Sequence, residues 1–211
     1  MIALIDYGAG NLTSVRKALT AVGAEYFTPA NPDDIRNVSG LIIPGVGHFG
    51  TTKALTAAWR TAILGVVDCG LPLMGICLGM QYLFEGSDEA PEAPGLGLLA
   101  GTCRRLPSLV KVPHVGWNDL QIVKPSRLLA DITTGAMTYF THSYAAPLTP
   151  ATVAQTDYGC TFAAVVEDRN IFGVQFHPEK SAAAGLEILR SFVQVTRSPD
   201  REITRSPGRP C

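Results

Sequence analysis

A chain of 211 residues can bury roughly 70% of its unfolded surface in one domain, so folding requires neither disulfides nor a metal. Its 17 basic and 18 acidic residues nearly cancel, and no long basic run precedes the tail, which leaves nucleic-acid binding without electrostatic support. The longest apolar stretches, LIIPGVG and LPLMGICLGM, are broken by Gly and Pro far short of the ~20 residues of a membrane span. Five cysteines without a CxxC pair, and a start on MIALID rather than a leader pattern, fit a cytoplasmic protein.

The first half repeats one unit. IALID at 2–6 is a short apolar run ending in the Gly-rich YGAGN, after which Val15, Ala18, Leu19 and Val22 recur at helical spacing before Gly23. LIIPG followed by a helical stretch over about 51–67 repeats the unit. LPLMGI followed by LGMQYLFEG repeats it again, so an open, mostly parallel sheet with helices on both faces is expected. SDEAPEAPGLGLL reads as a loop. Beyond it, LAGTCRRL, VPHVGWNDLQIV, MTYFTHSYAA, TVAQTDY, FAAVVEDRN and IFGVQFHP predict a β-rich second half. An amphipathic helix over about 182–195 closes one domain of residues 1–196, and the aperiodic 197–211 reads as a disordered tail.

Gly75-Ile76-Cys77-Leu78-Gly79 has the form of a nucleophile on a sharp strand-to-helix turn, where flanking glycines let strand and helix approach. A thiol there sits at a helix N-terminus, which favours the thiolate, and the backbone N–H of Leu78 can face a developing oxyanion. Taken alone, the pattern also describes a buried structural cysteine. A nucleophilic cysteine needs a base. In QFHPEK, Pro178 holds His177 in extended backbone, so His177 and Glu179, two apart, project to one side at the end of a strand. Cys77, His177 and Glu179 then form a Cys-His-acid set, although HPE by itself is also a plain turn.

His48, His114 and His142 read as core or pocket-wall residues, with His142 at the end of an apolar strand. No Cys or His pair has zinc spacing, so no metal site is expected. The turn IIPGVGHFG offers backbone N–H groups at Val46 and Gly47 that could join Leu78 in an oxyanion hole, and it equally describes a simple tight turn. GAGN does not continue as a dinucleotide fingerprint, because Thr13 takes the third glycine's place.

Together, PGVGHFG, MGICLGMQYLFEGS and GVQFHPEKS resemble the class I glutamine amidotransferases. DYGAGNLTSVRKAL, KVPHVGWNDL and YFTHSY look like the glutaminase subunits of imidazole glycerol phosphate synthases within that family, over residues 1 to about 195. The resemblance implies a flavodoxin-like fold, no cofactor, and glutamine as substrate. It implies that Cys77 forms a γ-glutamyl thioester, that His177 moves the proton and that Glu179 orients the ring. Gln81, with His142, Ser143 and Tyr144 of YFTHSY, falls at the family's glutamine site. Asn11, Trp117, Tyr139 and Lys180 fall at or near the interface with a separate (β/α)8-barrel cyclase, which receives the ammonia and makes imidazole glycerol phosphate in histidine biosynthesis. Low activity without that partner is implied too, because the oxyanion loop can rest in a non-productive orientation.

Residue 48, a position where small residues are common in the family, holds His, and the tail has no family counterpart. Two other readings retain part of the pattern. YFTHSY and HVGWN speak against the glutaminase of anthranilate or aminodeoxychorismate synthase, and the complete Cys-His-Glu set speaks against a catalytically silent interaction module.

Overall fold

In the computed structural model, which describes residues 1–198, the first half alternates strand and helix. β1 (Ile2–Leu4) leads to α1 (Leu12–Ala21), followed by β2 (Tyr26–Phe27), β3 (Gly40–Ile43), α2 (Ala57–Asp68), β4 (Leu73–Ile76) and α3 (Leu78–Leu83). Strands dominate thereafter: β5 (Gly86–Ser87), β6 (Thr102–Arg105), β7 (His114–Asp119), β8 (Gln121–Ile122), β9 (Met137–His142), β10 (Tyr144–Ala145), β11 (Thr152–Asp157), β12 (Thr161–Asp168) and β13 (Ile171–Val174). α4 (Ala182–Arg197) follows.

The main sheet runs β2-β1-β3-β4-β13-β12-β11-β8. Its first five strands are parallel, in the order of a flavodoxin-like sheet, and the last three add antiparallel. Small satellites, β10-β6-β5 and the antiparallel ribbon β7-β9, flank it. Strand alternation divides the core between the two faces. Ile2, Leu4, Ile42, Met74 and Val174 pack against α1 and α4, whereas Ala3, Ile5, Leu41, Ile43 and Leu73 pack against α2 and α3. Both faces are therefore apolar, which is why these strands read as continuous hydrophobic runs.

The crossing of α3 over β3 and β4 is too close for side chains. A Cβ on Gly79 would lie 1.8 Å from the Ile43 carbonyl oxygen, and one on Gly75 would lie 2.5 Å from the Gly79 carbonyl. Between them Cys77 is held at φ 52°, ψ −106°, a conformation that costs an L-residue about 1–3 kcal/mol and persists because the packing around it leaves no other path.

Several elements differ from the sequence expectation. The helix expected from about 51 starts at Ala57, after a 3-10 turn over Phe49–Ala54. There the Thr51 and Thr52 hydroxyls donate to the His48 and Phe49 carbonyls and tighten the chain into i+3 turns. β2 and β5, two residues each, are too short to show a period. α4 extends to Arg197, where the tail was expected to begin, and the rest of that expectation, from 199 on, lies outside the described residues. Among the described residues no helix is long and apolar enough to cross a membrane.

The close crossing of α3 gives two glycine-to-alanine changes opposite expected effects. Gly79→Ala should cost about 3 kcal/mol or more in urea unfolding. Gly65→Ala, inside α2 with nothing within 4 Å of its would-be Cβ, should add about 0.5–1 kcal/mol. Equal effects would contradict the packing described.

Candidate active site

Cys77 stands between β4 and α3 at the carboxyl end of the parallel sheet, where ligands of such sheets bind. Its N–H donates to the Val174 carbonyl at 2.8 Å, which ties the turn to β13. Its Sγ lies 3.7 Å from the Thr141 carbonyl and accepts a hydrogen bond from Gln175 Nε2 at 3.6 Å.

His177 follows β13 closely and is fixed along its backbone. Its N–H donates to the Tyr139 carbonyl at 2.8 Å, and the Ser181 hydroxyl donates to the His177 carbonyl at 2.6 Å. Glu179 Oε1 lies 2.8 Å from His177 Nδ1, with both side chains buried. The expected pairing is present, but the local chain differs: His177 is extended, whereas Pro178–Lys180 is a 3-10 turn, and it is this turn that folds the carboxylate back onto the ring. His177 Nε2 is buried without a hydrogen-bond partner among the described residues. Burial works against a charged imidazole, yet the charge of the neighbouring Cys77 and the hydrogen bond with Glu179 outweigh it and raise the His177 pKa to about 10. The site thus favours the charged imidazolium of His177.

A cleft of about 240 Å³ opens in front of the sulfur, lined by Val46, Gly47, Cys77, Leu78, Gln81, Glu89, Pro113, Thr141, His142, Ser143 and Tyr144. Every residue expected in the oxyanion hole or at the glutamine site faces it. The oxyanion hole is nonetheless unassembled: the Leu78 N–H donates to the Gly45 carbonyl at 3.3 Å, so the loop blocks the donor it was expected to complement. Gln81 Nε2 donates to the Tyr144 carbonyl at 2.7 Å and to Gln175 Oε1 at 3.2 Å. Glu89, Thr141 and Gln175 were not anticipated. Glu89 belongs to an acidic stretch that reads only as a loop, and Gln175 looks like any polar residue at a strand end.

The comparison with known proteins settles the family. The chain matches the family described as Glutamine amidotransferase class-I over residues 3–195. It is a class I glutamine amidotransferase. It is 45% identical over 199 residues to the imidazole glycerol phosphate synthase subunit HisH of Methanothermobacter thermautotrophicus, covering 94% of this chain and 100% of that protein. The same subunit of Moorella thermoacetica is 45% identical over 204 residues, with 93% and 95% covered. The chain therefore belongs to the HisH group of the family. A crystal structure of a glutamine amidotransferase shares the fold at TM-score 0.74 and 19% identity, over 93% of this chain and 100% of that one.

The β7-β9 ribbon of this amidotransferase has two unlike faces. Pairing of Val115 with Thr141, Trp117 with Tyr139 and Asp119 with Met137 puts these six on one face, where Val115, Trp117 and Met137 are about half exposed. Trp117 meets Tyr139 edge to face, and the Lys180 ammonium lies 5.8 Å from the Tyr139 ring centre. Asn11, next to this region, accepts a hydrogen bond from the Ser14 N–H and so caps α1. The other ribbon face carries His114, Phe140 and His142 into the core.

The two inward histidines form a chain whose proton positions follow from its end. The Tyr144 carbonyl can only accept, so His142 Nδ1 donates to it at 3.0 Å; His142 Nε2 then accepts from His114 Nδ1 at 3.2 Å. Stacked between Phe140 and Tyr158, His114 is buried and its pKa is pushed down to about 4. Burial, with the neighbouring His114 and His177, pushes His142 to about 3. His48, in contrast, is an exposed cap whose Nδ1 accepts from the Gly50 N–H, and not the core or pocket-wall residue expected.

These shifts have opposite consequences for stability. His114 and His142 are neutral when folded and regain a pKa near 6.5 when unfolded, so they withdraw stability as pH falls from about 6.5 toward 4. The contribution of His177 is complete below about 6.5 and is lost as pH rises toward 10. Urea unfolding should show a loss on the order of 2 kcal/mol between pH 6.5 and 5, and His142→Gln should make that limb shallower. An unchanged slope in the variant would contradict the neutral pair.

Proposed function

We propose that this glutaminase subunit hydrolyses glutamine through a thioester on Cys77 and passes the ammonia to a separate (β/α)8-barrel cyclase. The cyclase uses it to make imidazole glycerol phosphate in the cytoplasm. The observation that carries the reading is the buried His177–Glu179 contact at 2.8 Å, which leaves the other ring nitrogen unpaired among the described residues and the ring close enough to Cys77 for that neighbour to raise its pKa.

Glutamine enters the cleft with its α-ammonium toward the Glu89 carboxylate and its side-chain amide toward Cys77. The sulfur anion attacks the amide carbon, and the carbonyl electrons move onto oxygen. Leu78 N–H receives that oxyanion once the loop at Val46 and Gly47 turns and releases it from the Gly45 carbonyl. The C–N bond breaks as the His177 imidazolium gives its proton to the leaving nitrogen, and ammonia departs. Water then gives a proton to neutral His177 and attacks the thioester, releasing glutamate and restoring the sulfur anion and imidazolium. Glu179 keeps the ring in one orientation through both steps.

Two features support transfer to a partner. A smaller cavity of about 40 Å³, lined in part by Asn11, His177 and Lys180, shares Val46 and Thr141 with the cleft as a common wall. It offers ammonia a way toward the exposed Trp117–Tyr139–Lys180 face, where an apolar partner surface with a carboxylate for Lys180 would dock. The resting loop accounts for an enzyme that waits for its partner, since one occupied oxyanion donor is worth about 10²–10³ in rate.

Glutamate release should therefore be low for the chain alone and rise when the cyclase and its nucleotide substrate are added. Cys77→Ala should abolish that release while the two subunits still co-purify, and His177→Ala should reduce it by at least about 10²-fold. Full activity in Cys77→Ala would overturn the assignment.

A further inference from the structure

We propose that Gln175 is a further catalytic residue of this site, its side-chain amide donating to Cys77 Sγ and stabilising the attacking sulfur. The inference rests on Cys77 being the nucleophile. Gln175 directly follows β13 and is fully buried, a costly position for a primary amide unless both ends are bonded. Both ends are. Oε1 accepts from Gln81 Nε2 at 3.2 Å, and Nε2 lies 3.6 Å from Cys77 Sγ.

The direction of this amide is set by its neighbours. The Tyr144 carbonyl accepts from Gln81 at 2.7 Å and from His142 at 3.0 Å, so Gln81 must present its NH2 group on that side. The same NH2 group meets Gln175, which must answer with oxygen. The nitrogen of Gln175 is thereby left pointing at the sulfur. Rotating the amide would set NH2 against NH2 and oxygen against a sulfur anion.

A fixed donor matters here because the Thr141 carbonyl, 3.7 Å from the sulfur, suits a protonated thiol and opposes an anion. Gln175 offsets that opposition from within the fold, independently of His177. Its other end is bonded to Gln81, which lines the cleft, so one rigid seam joins the wall of the glutamine cleft to the reacting atom.

The test is the pH dependence of Cys77 alkylation by iodoacetamide in the full isolated chain, resolved from the four other cysteines by peptide mass spectrometry. It requires no glutaminase activity, so its outcome is separate from that of the proposed function. In Gln175→Met, which keeps the bulk and loses the donor, the alkylation midpoint should move up by about one pH unit. The rate below the midpoint should then fall about tenfold, the size of a charge-assisted hydrogen bond. Gln175→Glu keeps the acceptor for Gln81 and turns an oxygen toward the sulfur, so it should move the midpoint at least as far. If Gln175→Met does not fold, Gln175→Glu decides alone. A midpoint equal to that of the wild type in a folded variant would overturn the proposal, reducing Gln175 to a packing residue.

Discussion

The closeness of one helix to two strands governs the chemistry of this molecule. α3 crosses β3 and β4 at a distance that excludes even a methyl group at Gly75 and Gly79, and the chain between them turns through a conformation that only tight packing can hold. The turn brings the Cys77 sulfur to the carboxyl end of the sheet, where β13 delivers Gln175 and, just beyond it, His177. Because β13 lies beside β4 in parallel register, Cys77 and His177 leave the sheet from adjacent strands, and the sheet bridges a separation of 100 residues in sequence. The backbone strain at Cys77 and the amide buried at Gln175 are costs of that arrangement, offset by the two-sided apolar core.

Burial then sorts the histidines into two kinds. His177 is paired with a carboxylate and faces a sulfur that can carry charge, so its proton is held tightly. His114 and His142 are buried against rings and against each other, so they stay neutral and serve as fixed links between the ribbon and the Tyr144 carbonyl. The low-dielectric interior is common to both kinds. The charge of the neighbours decides which acts as a proton carrier and which as a strut.

Much of this was legible in the sequence, for local reasons. The glycines at 75 and 79 announce the turn, and HPE places a carboxylate within reach of a ring over two residues, so Cys77, His177 and Glu179 stand out in the sequence as a set. The parallel sheet followed from three repeats of strand and helix. Residues whose role depends on distant partners stayed hidden. Gln175 is one polar letter until Gln81 and Cys77 surround it, and Glu89 reads as loop acidity until the chain folds it over the cleft. The occupied Leu78 N–H could not be read from the residues themselves, because the choice between donating to Gly45 and facing a substrate is a property of the loop's state and not of its composition; only the family resemblance implied a loop able to rest in a non-productive orientation. The early start expected for α2 failed because threonine hydroxyls competed for the carbonyls that a helix needs.

The proposed function stands on a single buried sulfur, activated by His177 and approached from the cleft. An electrophilic glutamine analogue, incubated with the subunit in complex with its cyclase and followed by peptide mass spectrometry, examines this most directly. One covalent adduct is expected, on the peptide containing Cys77, and added glutamine should slow its formation. An adduct on another residue, or undiminished glutamate release from a fully modified Cys77, would contradict it.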